Sequence, residues 1–179
     1  MKLVFIHGAP AAGKLTTARA LLDRVEGRLF DNHAAIDLAG TVFEFGTPEF
    51  WKLVHATRML VLASALQRGL PLLVMTFVYA DPIDLPTFEA FESAIQGGGG
   101  QLLPVYLQCS LDEIVRRVGN DDRAIRKKMT SEKGVRDFIE KYKLAPVPRP
   151  NCLVLDSEAN SAEENARSII RHYGLADHH

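Results

Sequence analysis

The chain has only two cysteines among its 179 residues, Cys109 and Cys152, and this excludes a disulfide-stapled scaffold. Both lie in or beside apolar runs, so both are expected as reduced thiols of a cytoplasmic protein. Neither sign of charge is in excess: 21 Lys and Arg against 22 Asp and Glu leave a net charge of -1. That balance removes the global electrostatic reason for a nucleic-acid or membrane-surface partner and leaves small ligands, anionic ones included, open. Long apolar stretches are absent, none approaching the roughly 18 residues that a membrane helix needs. A secretory leader is not expected either, because Met1 leads almost directly into Leu3 to Ile6 without a charged segment and cleavage site. Internal repeats and domain linkers are also missing, so residues 1–179 are read as one domain.

Apolar material is ample at 47%, enough for a sizeable core in a chain of this length. It is concentrated in five short runs: Leu3 to Ile6, Arg28 to Asp31, Leu72 to Tyr79, Leu102 to Cys109 and Cys152 to Asp156. Runs apolar on both faces suit parallel strands covered by helices on either side. Helical patterns alternate with them. Leu15, Ala18, Leu22 and Val25 share one face, and Glu49 to Arg68 forms a longer helix with Thr47 as N-cap and Pro48 at its first position. Ser110 with Glu113, and Ser161 with Glu164, have the spacing of capping boxes that start two more helices. The order predicts an α/β, three-layer fold: a doubly wound, five-stranded parallel sheet flanked by helices, with ligands at the carboxyl ends of the strands. Gly97 to Gly100 follows a helix and precedes a strand, the order of a helix end and turn and the reverse of a phosphate cradle.

At the end of the first strand the sequence reads GAPAAGKLTT, Gly8 to Thr17, with the G-x-x-x-x-G-K spacing of a Walker A phosphate-binding loop. Each part has a chemical reason. Gly8 and Gly13 let the backbone curl so that successive N–H groups face an anion at the positive end of the next helix, and Lys14 reaches the terminal phosphates. The usual hydroxyl after the lysine is missing: Leu15 stands there, and Thr16 follows. GAPAAGKLTT resembles the loop of adenylate kinases and, more widely, of the P-loop small-molecule kinases that include shikimate, gluconate and antibiotic phosphotransferases. The resemblance implies ATP and Mg2+ as cofactors, with magnesium held largely through water and the nucleotide and Thr16 beside the α-phosphate. The nucleotide contacts it implies are Gly8, Ala9, Pro10, Ala11, Ala12, Gly13, Lys14, Leu15, Thr16 and Thr17. It covers the whole chain through element order, but only the first twenty residues are specific.

Other nucleotide-binding classes fit less well. A motor ATPase needs a carboxylate at the end of an apolar strand, yet Leu72 to Tyr79 reaches Asp81 too late for that register. A GTPase needs N-K-x-D, which does not occur, and Asp37 to Gly40 imitates D-x-x-G only within a helical stretch. An ATP-binding protein or an NTP hydrolase without a dedicated acceptor stays open as the alternative to a kinase. Against adenylate kinase itself, D-G-[FY]-P-R after the third strand is replaced by FVYADP, and the glycine triplet expected of a shikimate kinase is missing.

For a kinase, residues 117–135 form the expected lid, a basic segment able to surround the γ-phosphate and exclude water, with Arg117 and Arg123 as its catalytic members. Residues 33–70 form the expected acceptor-binding insert. Asp31 is the candidate base, or else a carboxylate that holds magnesium-bound water or caps a helix. His33 is either a hydrogen-bonding partner of the acceptor or a structural histidine. Arg58 lies on a partly apolar stripe with Trp51 and Val54, and is either a clamp for an anionic acceptor group or half of a structural ion pair. Asp81 is a further candidate for magnesium or acceptor, or else a turn residue before Pro82. Thr16, Asp31 and Asp81 are thus the candidate indirect metal ligands. Asp31, His33 and Arg58 together are expected to wall the acceptor pocket.

Overall fold

A computed structural model describes residues 1–118 and 131–178. Five strands, β1 (Lys2–Gly8), β2 (Arg28–Phe30), β3 (Leu72–Phe77), β4 (Gln101–Gln108) and β5 (Leu153–Asp156), form one sheet in the order β2-β3-β1-β4-β5. Every pairing is parallel, with Ile6 opposite Thr76 on one side and Val105 on the other. Alternation along the strands builds the two cores. Val4 and Ile6 of β1 and Val74 of β3 face the side of Ala18, Leu21 and Ile169. Leu3 and Phe5, with Leu73 and Met75, face Leu62, Phe88 and Phe91 on the other. Helices cover both faces, which is why these strands carry almost no polar side chains.

The described helices are α1 (Lys14–Leu22), α2 (Asn32–Gly40), α3 (Pro48–Gln67), α4 (Leu85–Gly97), α5 (Leu111–Val118), α6 (Glu132–Lys141) and α7 (Ala162–Tyr173). Thr47 caps α3 by accepting from the Phe50 N–H, with Pro48 at the start as the sequence suggests. Ser161 and Glu164 form a complete capping box on α7. The second expected box is only half made. Ser110 Oγ accepts from the Glu113 N–H at 3.3 Å, but the Glu113 carboxylate turns to Arg116 and Arg117, and the Ser110 N–H donates to Glu158 instead. Three charge-assisted bonds from two arginines outcompete one bond to a neutral amide. Gly97 to Gly100 ends α4 and turns into β4, with Gly99 at φ 72°. No described helix is long and apolar enough to cross a membrane.

His7, in the middle of the sheet, is fully buried against Phe5, Tyr79 and Tyr106, with ring centroids 5.3–5.7 Å away. Its Nε2 accepts from the Val147 N–H at 3.1 Å, so the neutral ring ties the segment after α6 to β1. Burial, reinforced by the Lys14 charge, pushes its pKa from 6.5 down to about 4. The native state therefore requires the uncharged ring. Its contribution is complete above the unfolded value of 6.5 and is lost as pH falls through about 4. The shift corresponds to about 3 kcal/mol in full, roughly 2 of it gone by pH 5. Urea unfolding at pH 7 and pH 5 should show this loss in the wild type and a clearly smaller one in His7→Gln, whose side-chain oxygen can still accept from Val147. Equal losses in the two proteins would refute the role of His7.

Candidate functional site

The phosphate-binding pattern occupies the turn from β1 into α1, at the centre of the carboxyl edge of the sheet. Gly8 stands at φ 149°, and a Cβ there would lie 2.6 Å from the Leu107 carbonyl oxygen on the neighbouring strand. Gly13 has φ 84° and forms the N-cap of α1 without a side-chain cap, so the first amides of the helix are left to another partner. The first turn of α1 holds no acidic residue. Ala11 also adopts a left-handed conformation, φ 66°, which costs an L residue about 1–2 kcal/mol and is the kind of strain that gathers at binding loops. Lys14 Nζ donates to the carbonyl oxygens of Gly8 at 3.0 Å and Ala9 at 2.6 Å, lying along the inside of the loop. Thr17, on the buried side of α1, is nearly inaccessible, whereas Thr16 is exposed at the cleft surface.

A cleft of about 1330 Å³ extends from the loop along the strand ends. Single small-ligand sites are usually about 300–1000 Å³, so there is room for two ligands side by side. On the β4 and β5 side the lining comes from Arg117, Phe138, Tyr142, Ser157 and Asn165. Arg117 is held in place: its Nε donates to Glu113 at 2.5 Å and Nη2 to the Ser157 carbonyl at 2.8 Å, while Nη1 stands 3.8 Å from where a Gly13 Cβ would be. The two arginines hold the Glu113 carboxyl down at about 2.

The β2 and β3 side carries a polar network. Asp31 follows β2 and occupies the N-cap position of α2, but its side chain makes no cap bond. Its Oδ1 instead accepts from the Thr76 hydroxyl at 2.7 Å, and Thr76 Oγ1 accepts from the Asn32 N–H at 3.0 Å. The single hydroxyl proton is thus committed to Asp31, which fixes the carboxylate at the strand end. Asn32 Oδ1 accepts from Arg58 Nη2 at 2.5 Å, and the guanidinium lies 4.8 Å over the Phe77 ring. Burial lowers the Arg58 pKa to about 10, partly countered by the Asp84 charge. Asp84 accepts from the Ala80 N–H at 2.8 Å, and burial raises its pKa against that bond and the Arg58 charge.

No protein-family model matches the chain, and no curated protein does. Solved structures match over nearly its whole length. A sugar kinase from Janibacter sp. HTCC2649 aligns at TM-score 0.72 and 13% identity, over 98% of this chain and 96% of that one. A gluconokinase from Sinorhizobium meliloti 1021 aligns at 0.68 and 13%, over 97% and 91%. The Mycobacterium tuberculosis APS kinase CysC, in complex with AMPPNP and APS, aligns at 0.59 and 14%, over 97% of each chain. The fold is that of the P-loop small-molecule kinases.

Within this P-loop kinase fold, the cleft gathers Lys14, Thr16, Asp31, His33, Arg58 and Arg117 on its surface. Arg58 departs from a free clamp: it is only 6% exposed and engaged with Asn32. Asp81 does not join the cleft lining. The chain leaves β3 at Phe77, Tyr79 turns into the core, and Asp81 is carried against the segment after α6, where its carboxylate accepts from Lys143 at 2.7 Å and Tyr79 at 3.2 Å. The Lys143 bond in particular holds its pKa low. Asp84, three residues on, is the carboxylate that returns to the cleft, and sequence reasoning passed over it. Thr76 was also missed, although a hydroxyl inside the run LLVMTF was a visible signal. Arg123, and with it most of the expected lid over 117–135, lies outside the described residues. Among the described residues no group of three or more His, Cys, Asp or Glu side chains is placed to hold a metal ion.

Proposed function

We propose that this chain transfers the γ-phosphoryl group of ATP to a hydroxyl of a small-molecule acceptor. The observation that carries the reading is that a single cleft joins the phosphate loop to the Asp31 carboxylate, with room for donor and acceptor together. In this mechanism the amides of Ala9 to Thr16 and the Lys14 ammonium hold the triphosphate, and Lys14 offsets the charge that develops on the transferring group. Asp31, aimed by Thr76, accepts the proton of the acceptor hydroxyl as the new O–P bond forms and the bond to the leaving ADP breaks. Arg117 supplies positive charge beside Gly13, and Arg123 is proposed to add to it from the lid, over 117–135. Residues 33–70, which contain α3 and most of α2, form the proposed acceptor-binding insert, with His33 and Arg58 on its inner wall.

Thr16 and Asp31 are hard oxygen donors at the cleft surface and suit magnesium, which when bound would neutralise part of the triphosphate charge. Asp81, tied to Lys143, is poorly placed for that role, and Asp84 takes over its candidacy as an acceptor contact.

Incubation of the purified chain with labelled ATP and a metabolite pool, read by mass, should yield a product heavier than a pool member by one phosphoryl group, together with acceptor-dependent ADP release. Nucleotide binding with no acceptor raising ADP release above its basal rate would defeat the kinase reading in favour of an ATP-binding or hydrolysing protein.

A further inference from the structure

The half of the cleft built by α2, α3 and α4 has a distinct lining. Three aromatic rings stand at its mouth: Phe45 is 74% exposed and Trp51 44% exposed, and both pack edge to face on Phe50 at 5.1 and 4.9 Å. So much exposed aromatic surface, on rings already fixed by one another, is a ready platform for the apolar face of a ligand. The carboxylates of Asp31 and Asp84, half-buried, and of the exposed Asp37 line the same half. They accept hydrogen bonds from hydroxyl or ammonium groups and repel anions.

Against these carboxylates, Arg58 is the cation of that wall among the described residues. It is poorly disposed to receive an anion. Its Nη2 is bound to Asn32, its plane lies over Phe77, and its Nε is buried without a hydrogen-bond partner, so little of the guanidinium reaches the cleft surface. A clamp for a carboxylate or phosphate needs two N–H groups on an open edge. Local charge also favours other ligands, since among the described residues of this half three carboxylates line the cleft against one guanidinium that already lies near Asp84.

We infer that the acceptor half of the cleft selects an uncharged or amine-bearing polyhydroxylated ring, a sugar or aminocyclitol in chemical class, and discriminates against acceptors bearing carboxylate, sulfate or phosphate. The term acceptor rests on the kinase reading, but the ligand preference does not. Rings of this class offer a C–H face to Phe45 and Trp51, hydroxyls to the carboxylates, and one hydroxyl to Asp31.

Trp51 is the only tryptophan of the chain, so its fluorescence reports on this half of the cleft without any turnover. The full chain is titrated with glucose, glucosamine and streptamine in one arm and gluconate, shikimate and AMP in the other. Saturable fluorescence changes are expected for members of the first arm, with Kd at least tenfold lower than for any acid. The first arm also separates neutral from amine-bearing ligands, the amines being tighter if the carboxylates dominate. In Asp37→Asn/Asp84→Asn the advantage over the acids should shrink at least threefold, with Asp31 left intact. Acids that bind as tightly as the ring compounds, a preference untouched by the double substitution, or no response to any member of the first arm would each overturn the inference. ADP release measured on the compounds that bind separates the two readings: binding without phosphorylation defeats the kinase proposal and leaves the ligand preference standing.

Discussion

Lys14→Ala is expected to lower kcat/KM for phosphoryl transfer by at least about 10²–10³-fold, the cost usually found when one preorganised donor to a developing charge is removed. The side chain already lies inside the loop, donating to the Gly8 and Ala9 carbonyls, so its ammonium is held where the backbone curls around an anion. Lys14→Arg should rescue little, because a planar, longer fork cannot take the place of a compact point charge in a loop this tight. The fold should survive both changes. Lys14 is half-buried and donates to two loop carbonyls at the cleft surface, and thermal melting should shift by only a few degrees. The check is steady-state kinetics with nucleotide binding measured in parallel by calorimetry. Activity within tenfold of wild type would remove Lys14 from the mechanism.

A second large effect is expected at Asp31. Asp31→Asn keeps the shape and can still accept the Thr76 hydroxyl, but it no longer takes a proton, and kcat should fall by about 10²–10⁴-fold with nucleotide affinity unchanged. Thr76→Val removes the hydroxyl that aims the carboxylate and supports the Asn32 N–H. It should therefore lower kcat less than Asp31→Asn does, and the double variant should lose no more than Asp31→Asn alone, since Thr76 acts through Asp31. Additive losses would break that coupling. If raised magnesium restores the activity of Asp31→Asn, the carboxylate serves the metal instead of the proton.

The architecture was legible because it rests on local patterns. Five apolar runs separated by helical periods can only be buried on both faces as parallel strands, and they appear within one or two residues at most ends. Capping signals were readable to the same degree, with one instructive miss. At Ser110 and Glu113 the spacing was right, but Arg116 and Arg117 on the next turn drew the carboxylate away. The turn that carries the phosphate-loop pattern was legible for a related reason. A phosphate cradle is made from consecutive residues, so the glycines, lysine and threonine of the candidate loop are written side by side from Gly8 to Thr17.

The acceptor half is assembled from residues far apart in the chain, and there local pattern does not say which acidic residue reaches the cleft. Asp81 and Asp84 are both acidic residues just after β3. Which of them faces the cleft depends on Tyr79 entering the core and on Lys143 waiting for Asp81, contacts that span more than sixty residues. Arg58 was found by its place on an apolar stripe, but its engagement with Asn32 and Phe77 needed α3 packed against the ends of β2 and β3.

By itself, then, the sequence determined the α/β class, the order of elements and the glycine-lysine turn between β1 and α1, because strands, helices and such turns are encoded over short spans. Only the tertiary structure decided which carboxylates share a cleft with that loop, that Thr76 aims Asp31, and that Arg58 is engaged within the wall. Those relations arise where parallel strands bring distant segments to one edge, and no local spacing records them.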